Sequence, residues 1–173
     1  PTIVNGQLVG LGDIYDIGRD NQGNFYITAA KTTVVGDQLY SDETQVLRQD
    51  SSGNWSFWAF DTSILTRNSF KFVDMLFHNG IISVVAHDGT TKRYLQYNQD
   101  GSLRANIEIG IAFGGGLIQD PQSGDLIIGN HSAIMRLNYQ TLAISTLPFS
   151  EPLANVSFMH LRGSQLVVTD SDR

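Results

Sequence analysis

The feature that most constrains this chain is a turn repeated along its length. Asp20-Asn21-Gln22-Gly23-Asn24, Asp50-Ser51-Ser52-Gly53-Asn54, His78-Asn79-Gly80, Asn98-Gln99-Asp100-Gly101 and Asp120-Pro121-Gln122-Ser123-Gly124-Asp125 each set a Gly beside Asn or Asp. Gly tolerates the positive φ of a tight hairpin, and an Asx side chain bonds the turn backbone. Between the turns lie short β-branched and aromatic runs. Residues 25–28, 81–85 and 126–128 predict strands buried on both faces, while 91–97 and 103–109 alternate as strands with one exposed face. No stretch carries apolar residues at helical spacing followed by a C-cap. The chain is therefore expected to be all-β, with consecutive strands pairing antiparallel.

Apolar strands flank Gly23, Gly80, Gly124 and Gly163, at intervals of 57, 44 and 39 residues. Each interval holds two further strands: 45–49 and 55–60, then 91–97 and 103–109, then 133–138 and 142–147. Four antiparallel strands every ~40–50 residues is the pattern of β-propeller blades. The expectation is a single β-propeller(-like) domain over 1–173, or part of one, with about 3.5–4 four-stranded blades. It places an outer strand in 1–9, blades over 11–61, 70–110 and 112–149, and an inner hairpin in 155–170. That makes fifteen strands, one short of a four-bladed ring, with the third strand of the last blade missing. Proteins rarely leave sheet edges open, so both termini are expected to contact additional β-structure, from the rest of the chain or from another copy. The start at Pro1 and the stop just after the apolar run 166–168 likewise predict a processed piece or part of a longer chain.

The repeat resembles known blades. Residues 16–27, Asp-Ile-Gly-Arg-Asp-Asn-Gln-Gly-Asn-Phe-Tyr-Ile, resemble the strand, turn, Gly-Asn, strand unit of NHL and SMP-30/gluconolactonase-like propellers. Residues 124–137 are similar to the second and third strands of an NHL-type blade. The resemblance implies a fold. SMP-30-like enzymes hold a divalent metal with a Glu, an Asn and an Asp from different blades, and no matching Glu stands here.

A β-sandwich of short strands shows similar turn spacing. The run Trp55, Phe57, Trp58, Phe60 favours the propeller, because it puts rings on both faces of one strand, as a sheet held between two sheets requires. Composition narrows the partners. Eleven Lys plus Arg against 17 Asp plus Glu give a net charge of −6 without a basic cluster, which excludes a nucleic-acid footprint. No apolar run approaches the ~20 residues of a membrane-spanning helix. With no Cys, a disulfide scaffold and a Cys-based zinc site are excluded.

Two groups of residues are candidates for function. The first turn interval carries a surplus in 31–43, expected as a surface loop, whose Asp37, Tyr40, Asp42 and Glu43 offer an aromatic platform and carboxylates to a ligand or partner. The same segment also suits a tolerated insertion at a rim. Asp16 and Asp74 occupy equivalent places on the innermost strands, with Gly116 and Phe158 at the other two equivalents. Two carboxylates lining a channel could hold a divalent cation; alternatively, each caps neighbouring backbone amides. His78, His87, His131 and His160 are not spaced as a metal pair, and no nucleophile elbow, phosphate loop or complete calcium loop is present.

The functional expectation is a non-catalytic binding or structural module of a surface, secreted or virion protein, with no cofactor, presenting the 31–43 loop to a protein or glycan. The alternative is a metal-dependent lactonase or hydrolase of SMP-30-like type, working through Asp16 and Asp74.

Overall fold

The structure, a computed structural model, describes residues 2–10, 13–35, 38–63, 71–87, 90–111 and 116–170. Every regular element among them is a strand. β1 (Thr2–Val4) and β2 (Gln7–Gly10) form a hairpin. β3 (Ile14–Arg19), β4 (Phe25–Val35), β5 (Gln38–Gln49) and β6 (Trp55–Phe57) form a four-stranded sheet in that order. A second sheet runs β7 (Lys71–His78), β8 (Ile81–His87), β9 (Thr91–Asn98), β10 (Leu103–Ile111). A third runs β11 (Leu117–Gln119), β12 (Leu126–Asn130), β13 (Ala133–Leu137), β14 (Ile144–Thr146), and β15 (Val156–Arg162) pairs with β16 (Gln165–Asp170). The described residues thus give three complete four-stranded meanders and two hairpins, the architecture of a β-propeller or part of one. None of them forms a helix long and apolar enough to cross a membrane.

The turns form as the sequence predicts. Gly23, Gly53, Gly80, Gly101, Gly124 and Gly163 all have positive φ. Asp20 and Asp50 build the same turn twice. Asp20 Oδ1 accepts the N–H groups of Gln22 and Asn24 at 2.9 Å each, and its Oδ2 accepts Asn24 Nδ2 at 2.7 Å. Asp50 repeats this with Ser52 and Asn54. Those bonds hold both carboxyls below the usual carboxylate range.

The chain divides into two compact units, Pro1–Glu108 and Ile109–Arg173. The core of the first is aromatic. Tyr26, Trp58, Phe72 and Tyr97 are buried with Val46, Met75, Ile82, Val84 and Leu95, and Phe60 and Phe77 pack against them. Rings meet edge-on or tilted, Tyr26 against Trp58 at 6.1 Å and against Phe77 at 4.4 Å, the arrangement that ring quadrupoles favour. In the second unit Ile127, Ile134, Val156 and Met159 form an aliphatic core.

The innermost strands share an irregularity. The β3–β4, β7–β8 and β15–β16 registers each skip one residue just before Asp16, Asp74 and Phe158. A β-bulge at one place in three blades supports the equivalence of those three positions.

Four expectations need correction. Residues 1–9 hold two strands rather than one, because Asn5-Gly6 is itself a hairpin turn with φ of 49° and 74°. The strand count among the described residues is therefore sixteen rather than fifteen, with β1–β2 and β15–β16 forming two separate hairpins. The aromatic argument also fails in detail. β6 ends at Phe57, whose exposure is 50%, and Trp58 reaches the core from the segment beyond, where its N–H donates to Val46 O. Third, β9 buries both faces from Tyr94 to Tyr97, so it is not half-exposed. Fourth, the expected loop 31–43 is largely strand, in β4 and β5.

Candidate functional site

β4 pairs with β3 only as far as Ala29, and β5 pairs with β6 only from Leu47 onward. Beyond that four-stranded part, β4 and β5 continue to pair with each other out to Val35↔Gln38. The segment expected as a loop is thus a two-stranded arm. Thr32, Thr33, Val34 and Val35 are β-branched, and such residues extend a strand rather than end it. Tyr40 stands opposite Thr33 and Glu43 opposite Lys31. The register skips between Lys31 and Thr32, which leaves Asp42 as the bulged residue on β5. Asp37 lies outside the described residues.

The two channel candidates come together. β3 and β7 are the innermost strands of adjacent sheets in the first unit, and the side chains of Asp16 and Asp74 are hydrogen-bonded to each other. Asp16 Oδ1 also accepts Ile17 N–H at 2.8 Å, and its Oδ2 accepts Met75 N–H at 2.7 Å. The second bond reaches from one innermost strand to the next. It satisfies an amide on β7, the edge strand of its sheet among the described residues. Burial outweighs these bonds and raises the Asp16 pKa above the usual carboxylate value.

Sequence reasoning missed the cation of this cluster. Lys92, near the start of β9, is 1% exposed, and the negative charge of Asp74 acts on it. Burial pushes its pKa down to about 8, with Asp74 opposing the shift. A divalent metal fits these residues poorly, because Asp16 already uses both oxygens on amides and a buried ammonium is present. No group of three His, Asp or Glu gathers among the described residues. Removing the Asp16 carboxylate should matter structurally. Asp16→Ala is expected to cost about 1–3 kcal/mol by leaving the Met75 amide without its acceptor. Urea denaturation measures this, and an unchanged midpoint would mean that the bond between the strands holds nothing.

A second polar group lies within the second sheet. His78 Nε2 bonds Ser83 Oγ at 2.7 Å, Ser83 Oγ bonds Tyr94 Oη at 2.8 Å, and Gln96 Nε2 donates to Tyr94 Oη at 2.7 Å. All four residues are buried. Burial lowers the His78 pKa and so favours the neutral imidazole. Ser83 is fully enclosed, which rules out nucleophilic attack on a substrate from this geometry. The available sequence signal was Ser83 inside the apolar run 81–86, with Tyr94 and Gln96 on the mixed strand that follows.

No protein-family model matches the chain, and no curated protein matches it. Solved structures do. The extracellular domain of BT4673 from B. thetaiotaomicron is 12% identical with a TM-score of 0.65, over 91% of this chain and 20% of that one. Streptogramin B lyase is 12% identical with a TM-score of 0.62, over 96% and 51%. Xylan β-1,4-xylosidase from Bacillus halodurans C-125 is 13% identical with a TM-score of 0.52, over 92% and 38%. The chain thus spans between a fifth and about a half of these neighbours' lengths. All three are β-propeller-like, and at such identity the likeness establishes the fold: this chain has the fold of a β-propeller or part of one.

Proposed function

We propose that the chain is a non-catalytic binding module of a surface, secreted or virion protein, and that the β4–β5 arm carries the contact to a protein or glycan. The observation behind this reading is the arm itself. Two paired strands run on from a blade, and Tyr40, Asp42 and Glu43 stand on the returning strand. An extracellular domain among the structural neighbours supports an extracellular setting. Among the described residues β1 and β16 each pair with a single strand, which suits pairing with further β-structure, from the rest of the chain or from a second copy.

The arm is tested by the combined variant Asp37→Ala, Tyr40→Ala, Asp42→Ala, Glu43→Ala. Binding is read on an immobilised glycan panel, and on surface-protein extracts with captured proteins identified by mass spectrometry. Loss of at least about tenfold in affinity is expected, because one large aromatic anchor commonly carries ~2 kcal/mol or more. Unchanged binding would move the contact off the arm.

The hydrogen bond between Asp16 and Asp74 favours a second reading, a metal-dependent lactonase or hydrolase of SMP-30-like type. It requires a cation to displace Met75 N–H from Asp16 and to coexist with Lys92. Lactone turnover that appears on adding a divalent metal and vanishes in Asp74→Asn would establish it.

A further inference from the structure

In the first unit, the β3–β4, β7–β8 and β9–β10 turns border a partly open pocket of about 200 Å³. Its polar lining comes from Asp20, Asn21, His78, Asn79 and Gln99, over apolar contributions from Phe77 and Ile81. Three of the five polar groups are amides, each able both to donate and to accept. The remaining two are buried and fixed in place. Asp20 is held by its turn bonds, and His78 by the chain through Ser83, Tyr94 and Gln96.

The chemistry of this lining selects a ligand class. No Lys or Arg lines the cavity, so nothing there neutralises an anion. Asp20 is the one carboxylate in the lining, and both its oxygens accept hydrogen bonds from Gln22, Asn24 and Tyr26, which leaves it poorly suited to a metal. Amides above an apolar floor instead match a neutral ligand bearing several hydroxyls and an apolar ring face. The volume lies below the ~300–1,000 Å³ of sites for drug-sized ligands, which fits one sugar ring rather than an oligosaccharide.

We infer that this cavity is a binding site for a single neutral sugar residue, read by Asn21, Asn79 and Gln99. The site rests on the binding-module reading and is separate from the arm. Asn21 and Asn79 are exposed on their turns, and Gln99 is half-exposed, its backbone carbonyl accepting Trp58 Nε1–H at 3.1 Å. Their side chains can therefore be shortened without disturbing the core.

Saturation-transfer NMR and calorimetric titration with glucose, galactose, mannose and N-acetylglucosamine test the inference on the intact protein. At least one sugar is expected to bind. Asn21→Ala, Gln99→Ala and Asn79→Gly (the last retaining a residue suited to positive φ) are each expected to weaken binding about two- to tenfold with the melting curve retained. The arm variant is expected to bind the sugar as the parent does. Absence of binding by every sugar, or binding that survives all three substitutions, would overturn the site. Sugar failure with arm-dependent capture intact would overturn the cavity alone, whereas failure of both would overturn the binding-module reading as well.

Discussion

Folding stability is expected to rise between pH 8 and about 10, and Lys92→Met is expected to abolish that rise. The folded chain holds Lys92 at a pKa of about 8 against 10.5 when unfolded, because burial disfavours the ammonium more than Asp74 favours it. Between those values the unfolded chain binds more protons than the folded one, so stability increases with pH. The slope reaches at most ~1.4 kcal/mol per pH unit, which accumulates to about 2–3 kcal/mol by pH 10. Above that the tyrosines reverse the sign. Tyr26 is pushed up to about 12, and burial raises Tyr94 and Tyr97 as well. These groups keep their protons when folded but lose them when unfolded, so stability falls. Urea titrations at stepped pH should trace a maximum near pH 10 in the parent. Lys92→Met should give a flat profile from pH 8 to the onset of the fall. A parallel rise in the variant would assign the effect to another group.

The second large effect concerns one glycine and its control. Gly101 has a φ of 87°, and a Cβ there would fall onto the backbone carbonyl of Ala59 and the Cα of Phe60. That backbone carries Trp58 and Phe60 into the aromatic core, and Asp61 N–H donates to Gly101 O at 2.9 Å. Gly53 has a φ of 88°, and a Cβ there would meet nothing within 4 Å. Gly53→Ala should therefore report backbone strain alone, about 1 kcal/mol. Gly101→Ala should add the clash and the shift of the core segment, for a total on the order of 3–5 kcal/mol, a large part of a domain's stability. Denaturation midpoints that match for the two variants would contradict the close approach.

Much of the fold was legible because turn chemistry is local. Gly23, Gly53, Gly101 and Gly124 announce hairpins through a backbone requirement that no distant residue alters. The same logic would have found Asn5-Gly6, had the short run before it been read as a strand. The arm was also legible in principle, since Thr32–Val35 is an unbroken β-branched run, but the intervening Gly36 and Asp37 made loop the easier reading. The site is a different matter. Asp16 and Asp74 could be aligned by repeat, whereas the approach of Lys92 depends on how β9 folds back over β8 toward β7. Nothing in the neighbourhood of Lys92 in sequence distinguishes a buried ammonium from a solvated one. The His78–Ser83–Tyr94–Gln96 chain was hidden for the same reason, because each member looks like an isolated polar residue until the β7–β8–β9 register sets Ser83 opposite Gln96, with His78 and Tyr94 two residues along the flanking strands.

On the proposed function, the chain binds through its arm and needs no metal at Asp16 and Asp74. The most direct test replaces residues 32–42 with a two-residue Asn-Gly turn, which keeps the Lys31↔Glu43 pair, and compares binding with the parent in EDTA and in divalent metal. The shortened chain is expected to lose the protein partner that the parent captures from surface-protein extracts, to keep its fold and any free-sugar binding at the cavity, and EDTA is expected to leave the parent's capture unchanged. Capture of that partner that persists in the shortened chain, or that requires the metal, would contradict the arm reading.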